Sequence, residues 1–168
     1  MKNRTVLIDS ISKRFSMTGY RIGYAIGPAE LIANMTKMQE NICACAPVPS
    51  QYAAIEAYTS CIDDKNMCNV FEERRNFLVD AINNIEGLHC YKPDGTFYLF
   101  VNIEKSGMNG LDFAYSLLEK EHVAVVPAIA YGEAYTNYIR IAFTLNNEQL
   151  EKAAKRIADF MAQLKNNS

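Results

Sequence analysis

Hydrophobic and polar positions alternate in two textures along this chain. In the first, Val6-Leu7-Ile8 is a short apolar run closed by Asp9 and Ser10, which predicts a buried strand. A Thr18-Gly19 turn follows, and Tyr20 to Ile26 predicts a second strand. Gly27-Pro28 closes it, Pro28 being suited to the first turn of a helix. That helix is expected over Glu30–Ile42, with Leu31, Ile32, Met35, Met38 and Ile42 at helical spacing. An irregular segment with Pro47 and Pro49 leads to Ser50, which is expected to cap a helix from Gln51 to Cys61. The longest periodic run, Cys68 to Ile85, ends at Gly87 and predicts a long helix.

The second texture begins there. Leu88–Tyr91 and Phe97–Ile103 read as strands around a Pro93-Asp94-Gly95 turn. Leu111–Lys120 reads as a helix, Val123–Pro127 as a strand and Tyr138–Phe143 as another. Asn146 with Gln149 opens a last helix whose stripe is Leu150, Ala153, Ile157, Phe160 (or Met161) and Leu164. Residues 86–168 are therefore expected to form a compact α/β layer. The first two strands alone do not make a stable sheet in water, so the pattern calls for more sheet than this chain contains.

Composition changes this picture little. With 49% hydrophobic and 21% charged residues the chain is globular, and a formal charge of −2 gives no reason to expect nucleic acid or an anionic membrane as partner. No apolar run reaches transmembrane length, and Asp9 cuts short any signal-peptide core, so a cytoplasmic protein is expected. The five cysteines (Cys43, Cys45, Cys61, Cys68, Cys90) form no Cys-x-x-Cys pair, and His89 and His122 lie at no ligand spacing. They read as small thiols in a reducing compartment, with no metal site. Glycines 19, 23 and 27 recur every four residues, but the intervening Arg21 and tyrosines argue for a strand and against a membrane helix.

The chemistry gathers between the first two strands. Ser10, Ser12, Ser16 and Thr18 offer hydroxyls, Arg14 and Arg21 offer forked N–H donors, and Lys13 stands among them. Hydroxyls and guanidinium groups suit a phosphate. A lysine amine beside other cations is easier to deprotonate, as Schiff-base chemistry with a carbonyl requires.

The order Ser10-x-Ser12-Lys13-x-x-Ser16-Met17-x-Gly19-x-Arg21-x-Gly23 resembles the attachment signature of class-I/II (fold-type-I) pyridoxal-phosphate-dependent aminotransferases. The resemblance implies that Lys13 is the catalytic residue, bonded to pyridoxal 5'-phosphate through its amine. It also implies that Ser10 and Arg21 hold the cofactor phosphate, with Ser12 a further hydroxyl nearby. Tyr138-Ile139-Arg140-Ile141-Ala142-Phe143 alternates, with Arg140 on the face opposite Ile139, Ile141 and Phe143. By alternation alone Arg140 is a charge on the wet face of an edge strand. By resemblance it is the substrate-binding arginine that grips the α-carboxylate as a bidentate fork.

Lys92–Tyr98 and Val125–Gly132 also resemble family segments, Ala128 and Ile129 standing where Gly-Ser is usual. The connector from Cys43 to Ser50 resembles a subunit-interface loop. The resemblance covers only the second half of the family fold. It implies an α/β chain comprising the end of the large-domain sheet (residues 1–68), a linking helix (69–85) and the small α/β domain (86–168).

In the family, the acid that pairs with the cofactor ring nitrogen comes from sequence before the lysine. Asp9 is the sole acid preceding Lys13 here and does not match it. The implied protein is a transaminase acting on an amino acid and a 2-oxo acid, homodimeric when intact, and represented here by a truncated chain inactive by itself. Two alternatives stay open: a non-catalytic binding or dimerisation protein built on this fold, and a lyase that shares it.

Overall fold

The computed structural model describes residues 1–60 and 65–166, and the chain divides into two units, Met1–Asp64 and Lys65–Ser168. In the first, β1 (Leu7–Ser10) pairs antiparallel with β2 (Gly23–Ile26), Leu7 opposite Ile26 and Ser10 opposite Gly23. The short helix α1 (Ile11–Arg14) springs directly from β1. Gly23 is required at the close of this turn, because a Cβ there would stand 2.8 Å from the Asp9 carbonyl oxygen. Helices α2 (Ala29–Cys43) and α3 (Val48–Ser60) complete the unit.

Three expectations change here. The second strand begins at Gly23 and not at Tyr20, because Arg21 adopts a left-handed backbone (φ 52°, ψ 47°) that cannot continue a ladder. Ser50 does not cap α3. The helix starts at Val48, and Ser50 lies inside it, 8% exposed. Cys61, the expected end of that helix, lies outside the described residues. The third concerns burial: Leu7 and Ile8 are 51% and 75% exposed, so the strand predicted to be buried has its apolar side chains open. Among the described residues β2 is its only strand partner, and a two-stranded ribbon has no second layer to cover it.

The second unit has its own core. Helix α4 (Lys65–Asn83) leads through Gly87, at φ +95°, into β3 (His89–Cys90) and β4 (Tyr98–Asn102). Then come α5 (Gly110–Glu121), β5 (Val126–Pro127), β6 (Tyr138–Ala142) and α6 (Asn147–Asn166). The sheet is antiparallel, in the order β3-β4-β6-β5. Leu99, Val101, Ile139 and Ile141 point from one face into a cluster with Leu78 and Ile82 of α4, Phe113 and Leu117 of α5, and Ile157 and Phe160 of α6. The Phe113 and Phe160 rings meet edge to face at 5.2 Å.

Helix ends are fixed as their sequences require. Asn109 caps α5 by accepting from the Leu111 and Asp112 N–H groups, and the Asn146 side chain accepts from the Gln149 N–H at 2.9 Å. On α6 the buried stripe is Leu150, Ala154, Ile157, Phe160 and Met161, with Ala153 and Leu164 at its margin. Among the described residues no helix is long and apolar enough to cross a membrane.

Candidate functional site

Both ends of the lysine stretch are set by backbone pairing. The Ser10–Gly23 register brings the start of α1 and the end of the Arg21 turn to one end of the β1–β2 ribbon. Ser10 sits at that junction with extended backbone, its N–H donating to Asp9 Oδ1 at 2.7 Å. Lys13 is exposed on α1. Ile11, by contrast, is almost wholly buried and anchors the short helix. Arg21 is exposed, and its Nη1 donates to the Thr18 carbonyl at 3.0 Å, closing its own left-handed turn.

Behind this turn lies a group that sequence reasoning missed. Tyr24, cross-strand partner of Asp9, donates its hydroxyl to Asp9 Oδ2 at 3.2 Å, and Tyr58 of α3 donates to the same oxygen at 3.4 Å. The Tyr24 and Tyr58 rings meet edge on at 5.6 Å, and the Arg14 guanidinium lies 5.9 Å from the Tyr58 ring. The Ser10 N–H, with help from both phenols and Arg14, holds the Asp9 carboxyl below its usual range. The Tyr58 phenol is pushed up to about 12, first by hydrogen bonding with Tyr24, then by burial and the Asp9 charge. The available signal was the strand period, which put Asp9 and Tyr24 on adjacent strands. Nothing in the spacing brought Tyr58 to them.

The donor set of the turn fits a phosphorylated carbonyl compound. A guanidinium and a serine hydroxyl at the ribbon end supply phosphate donors, and an exposed primary amine stands one helical turn from Ser10. The remaining N–H groups of Arg21 have no partner among the described residues.

Arg140 belongs to the second unit. It lies on β6, which is an interior strand between β4 and β5, so the edge-strand expectation is corrected. Its side chain rises from the sheet face opposite the core, half-buried. The guanidinium carbon is 4.1 Å from the centre of the Tyr98 ring and 5.2 Å from that of Tyr131. Its Nε is buried without a hydrogen-bond partner. The face continues as aromatic surface: Phe100 stacks on Tyr138 at 5.1 Å and meets Tyr135 edge on at 5.4 Å. A cavity of about 470 Å³ opens beside Arg140, the one charged side chain lining it among the described residues. Such a place suits a carboxylate carried by an organic molecule.

A family model described as aminotransferase class I and II matches residues 1–157. The putative aminotransferase YugH of Bacillus subtilis is 40% identical over 162 residues, covering 96% of this chain and 42% of that protein. Among solved structures, an aromatic aminotransferase from Pyrococcus horikoshii matches with TM-score 0.92 at 33% identity, over 98% of this chain and 45% of its own. The aspartate aminotransferase of Rhizobium meliloti matches with TM-score 0.87 at 34% identity, over 96% and 42% respectively. The chain thus spans less than half the length of the relatives it matches.

Proposed function

We propose that this chain, which belongs to the class I and II aminotransferases, carries the cofactor-bonding lysine, the phosphate arginine and the carboxylate arginine of a pyridoxal-phosphate-dependent transaminase. What supports the reading is the unbroken order Ser10-x-Ser12-Lys13 to Arg21-x-Gly23 on one β-turn-β ribbon, in a chain of this family. The α/β fold is that of the C-terminal part of fold-type-I enzymes. In that protein residues 1–68 would close the large-domain sheet, 69–85 would link, and 86–168 would form the small domain. The exposed apolar side chains of β1 and β2, Leu7, Ile8 and Ile26, fit a sheet that continues beyond this ribbon. The intact protein is proposed to be a homodimer.

The residues divide the work by their chemistry. Pyridoxal phosphate, when bound, supplies an electron sink for the charge left on a substrate α-carbon. Ser10 and Arg21 bind its phosphate, a hydroxyl and a planar fork being complementary to phosphate oxygens. Lys13 would hold the cofactor through its amine, and that amine, when free, would carry a proton to and from the substrate α-carbon. Arg140 binds the substrate α-carboxylate and so fixes which bond at that carbon faces the reacting group. The substrates are an amino acid and a 2-oxo acid.

Borohydride reduction of the full-length holoenzyme, followed by peptide mass spectrometry, tests the assignment. The cofactor mass is expected on the peptide containing Lys13, and Lys13→Ala is expected to abolish transamination. Retained transamination in that variant, or the mass on another lysine, overturns it.

A further inference from the structure

Two arginines of this unit, Arg74 and Arg140, carry a buried Nε without a hydrogen-bond partner and lie over aromatic rings, but Arg74 also donates Nη1 to the Thr144 carbonyl at 3.4 Å. Arg75 is engaged by ordinary bonds: its Nη2 meets Glu72 at 2.7 Å and its Nη1 donates to the Pro93 carbonyl at 3.2 Å. Arg140 has no hydrogen bond or ion pair among the described residues, and its Nε is shut away from solvent. Two aromatic faces take their place, Tyr98 at 4.1 Å and Tyr131 at 5.2 Å from the guanidinium carbon.

We propose that Tyr98 and Tyr131 are positioning residues for Arg140, a pair of rings that fixes the guanidinium by its faces and leaves its N–H edge for a substrate carboxylate. The proposal rests on reading Arg140 as the carboxylate group.

The physical reason lies in the shape of the guanidinium. Its N–H bonds lie in its plane, whereas the attraction of a ring quadrupole acts through its face. A carboxylate partner on the protein would hold Arg140 as firmly but would occupy the fork that the substrate needs. A ring fixes the plane and occupies no donor. An arginine already held in one orientation loses less freedom when the carboxylate arrives, so the benefit appears as affinity.

Sheet register supplies the first ring. Arg140 is paired with Phe100, and Tyr98 lies two residues along β4 on the same face, within reach of a long side chain. The second ring comes from the short 3₁₀ turn Ala128–Tyr131, whose first residue is fully buried and pins the turn to the core. Phe100 meets Tyr131 edge on at 6.5 Å and buttresses it from the sheet side. Both tyrosines lie in segments that the sequence singled out by resemblance alone. The structure gives those segments a common target.

The test is steady-state kinetics of the full-length holoenzyme. Tyr98→Leu and Tyr131→Leu are each expected to raise KM for amino acid and 2-oxo acid by about five- to thirtyfold, the range a partly desolvated cation–π contact represents, with kcat within about twofold. Tyr98→Phe and Tyr131→Phe keep the ring face and are expected to return KM to within about twofold of the parent. Unchanged KM in the leucine variants, while Arg140→Lys raises it, overturns the ring clamp and leaves the carboxylate reading standing. Unchanged KM in Arg140→Lys overturns both. A parallel fall of kcat and thermal midpoint in the leucine variants, without rescue by phenylalanine, also overturns the clamp, because that is the signature of lost packing. Tyr131, 48% exposed, keeps the test available should Tyr98→Leu fail to fold.

Discussion

Asp9 and Tyr24 face each other across the β1–β2 ribbon, the Tyr24 hydroxyl donating to Asp9 Oδ2 at 3.2 Å. The same carboxylate oxygen accepts from Tyr58 at 3.4 Å, so one acid on the first strand ties the second strand and α3 together directly behind the lysine turn. This group gives the first unit a polar connection where, among the described residues, the buried apolar side chains are few, Ile11 and Ala57.

That connection makes a pH prediction with a definite sign. The Tyr58 phenol, pushed up to about 12, holds its proton more tightly in the native state than the usual phenol, near ~10, does in the unfolded chain. The stabilisation is therefore complete below about pH 10 and is lost as pH rises through the native value. Ultraviolet titration should show one tyrosine ionising near 12 that is missing in Tyr58→Phe. Asp9→Asn should bring it down toward the ordinary value, and a Tyr58 that titrates with the bulk tyrosines would contradict the arrangement.

Gly110 opens α5 hard against the start of β6. A Cβ there would lie 2.5 Å from the Tyr138 carbonyl oxygen and 3.0 Å from that of Thr136, and the Gly110 N–H donates to Thr136 O at 2.7 Å. Backbone cannot rotate away as a side chain does. Gly110→Ala should therefore destabilise the second unit by about 1–3 kcal/mol, the usual cost of overpacking, seen as a lower denaturation midpoint. An unchanged midpoint would mean that α5 stands off the sheet.

The described cysteines should divide sharply in reactivity. Cys43, Cys45 and Cys68 are exposed, whereas Cys90 is buried on β3 and burial pushes its thiol up to about 11. With so little thiolate at neutral pH, Cys90 should resist a disulfide reagent until the protein unfolds. Peptide mapping after native labelling reads this directly, and Cys90 labelled as fast as Cys43 would refute the burial.

Legibility from sequence followed the range of each interaction. The alternation Ile139-Arg140-Ile141 set which side chains enter the core, and the Asn146–Gln149 spacing set where α6 begins, because both depend on neighbours within a few residues. Places where the reading shifted involve constraints that local pattern does not carry. Arg21 left the strand because its turn needs a left-handed residue, held by the Thr18 carbonyl. Ser50 became a buried helix interior because α3 packs through it, although its residue type favours a cap.

What the sequence determined by itself is therefore the set of elements and the order of the chemistry-bearing residues, including Lys13 between its serines and Arg140 on the open face of its strand. Periodicity and residue order are properties of the covalent chain and survive any folding path. Tertiary structure alone decided that β6 is interior, that Tyr58 joins Asp9 from another element, and that two distant tyrosines converge on Arg140. Each of these depends on which surfaces meet when apolar area is buried, a choice made by the packing of whole elements and not by the spacing within any one of them.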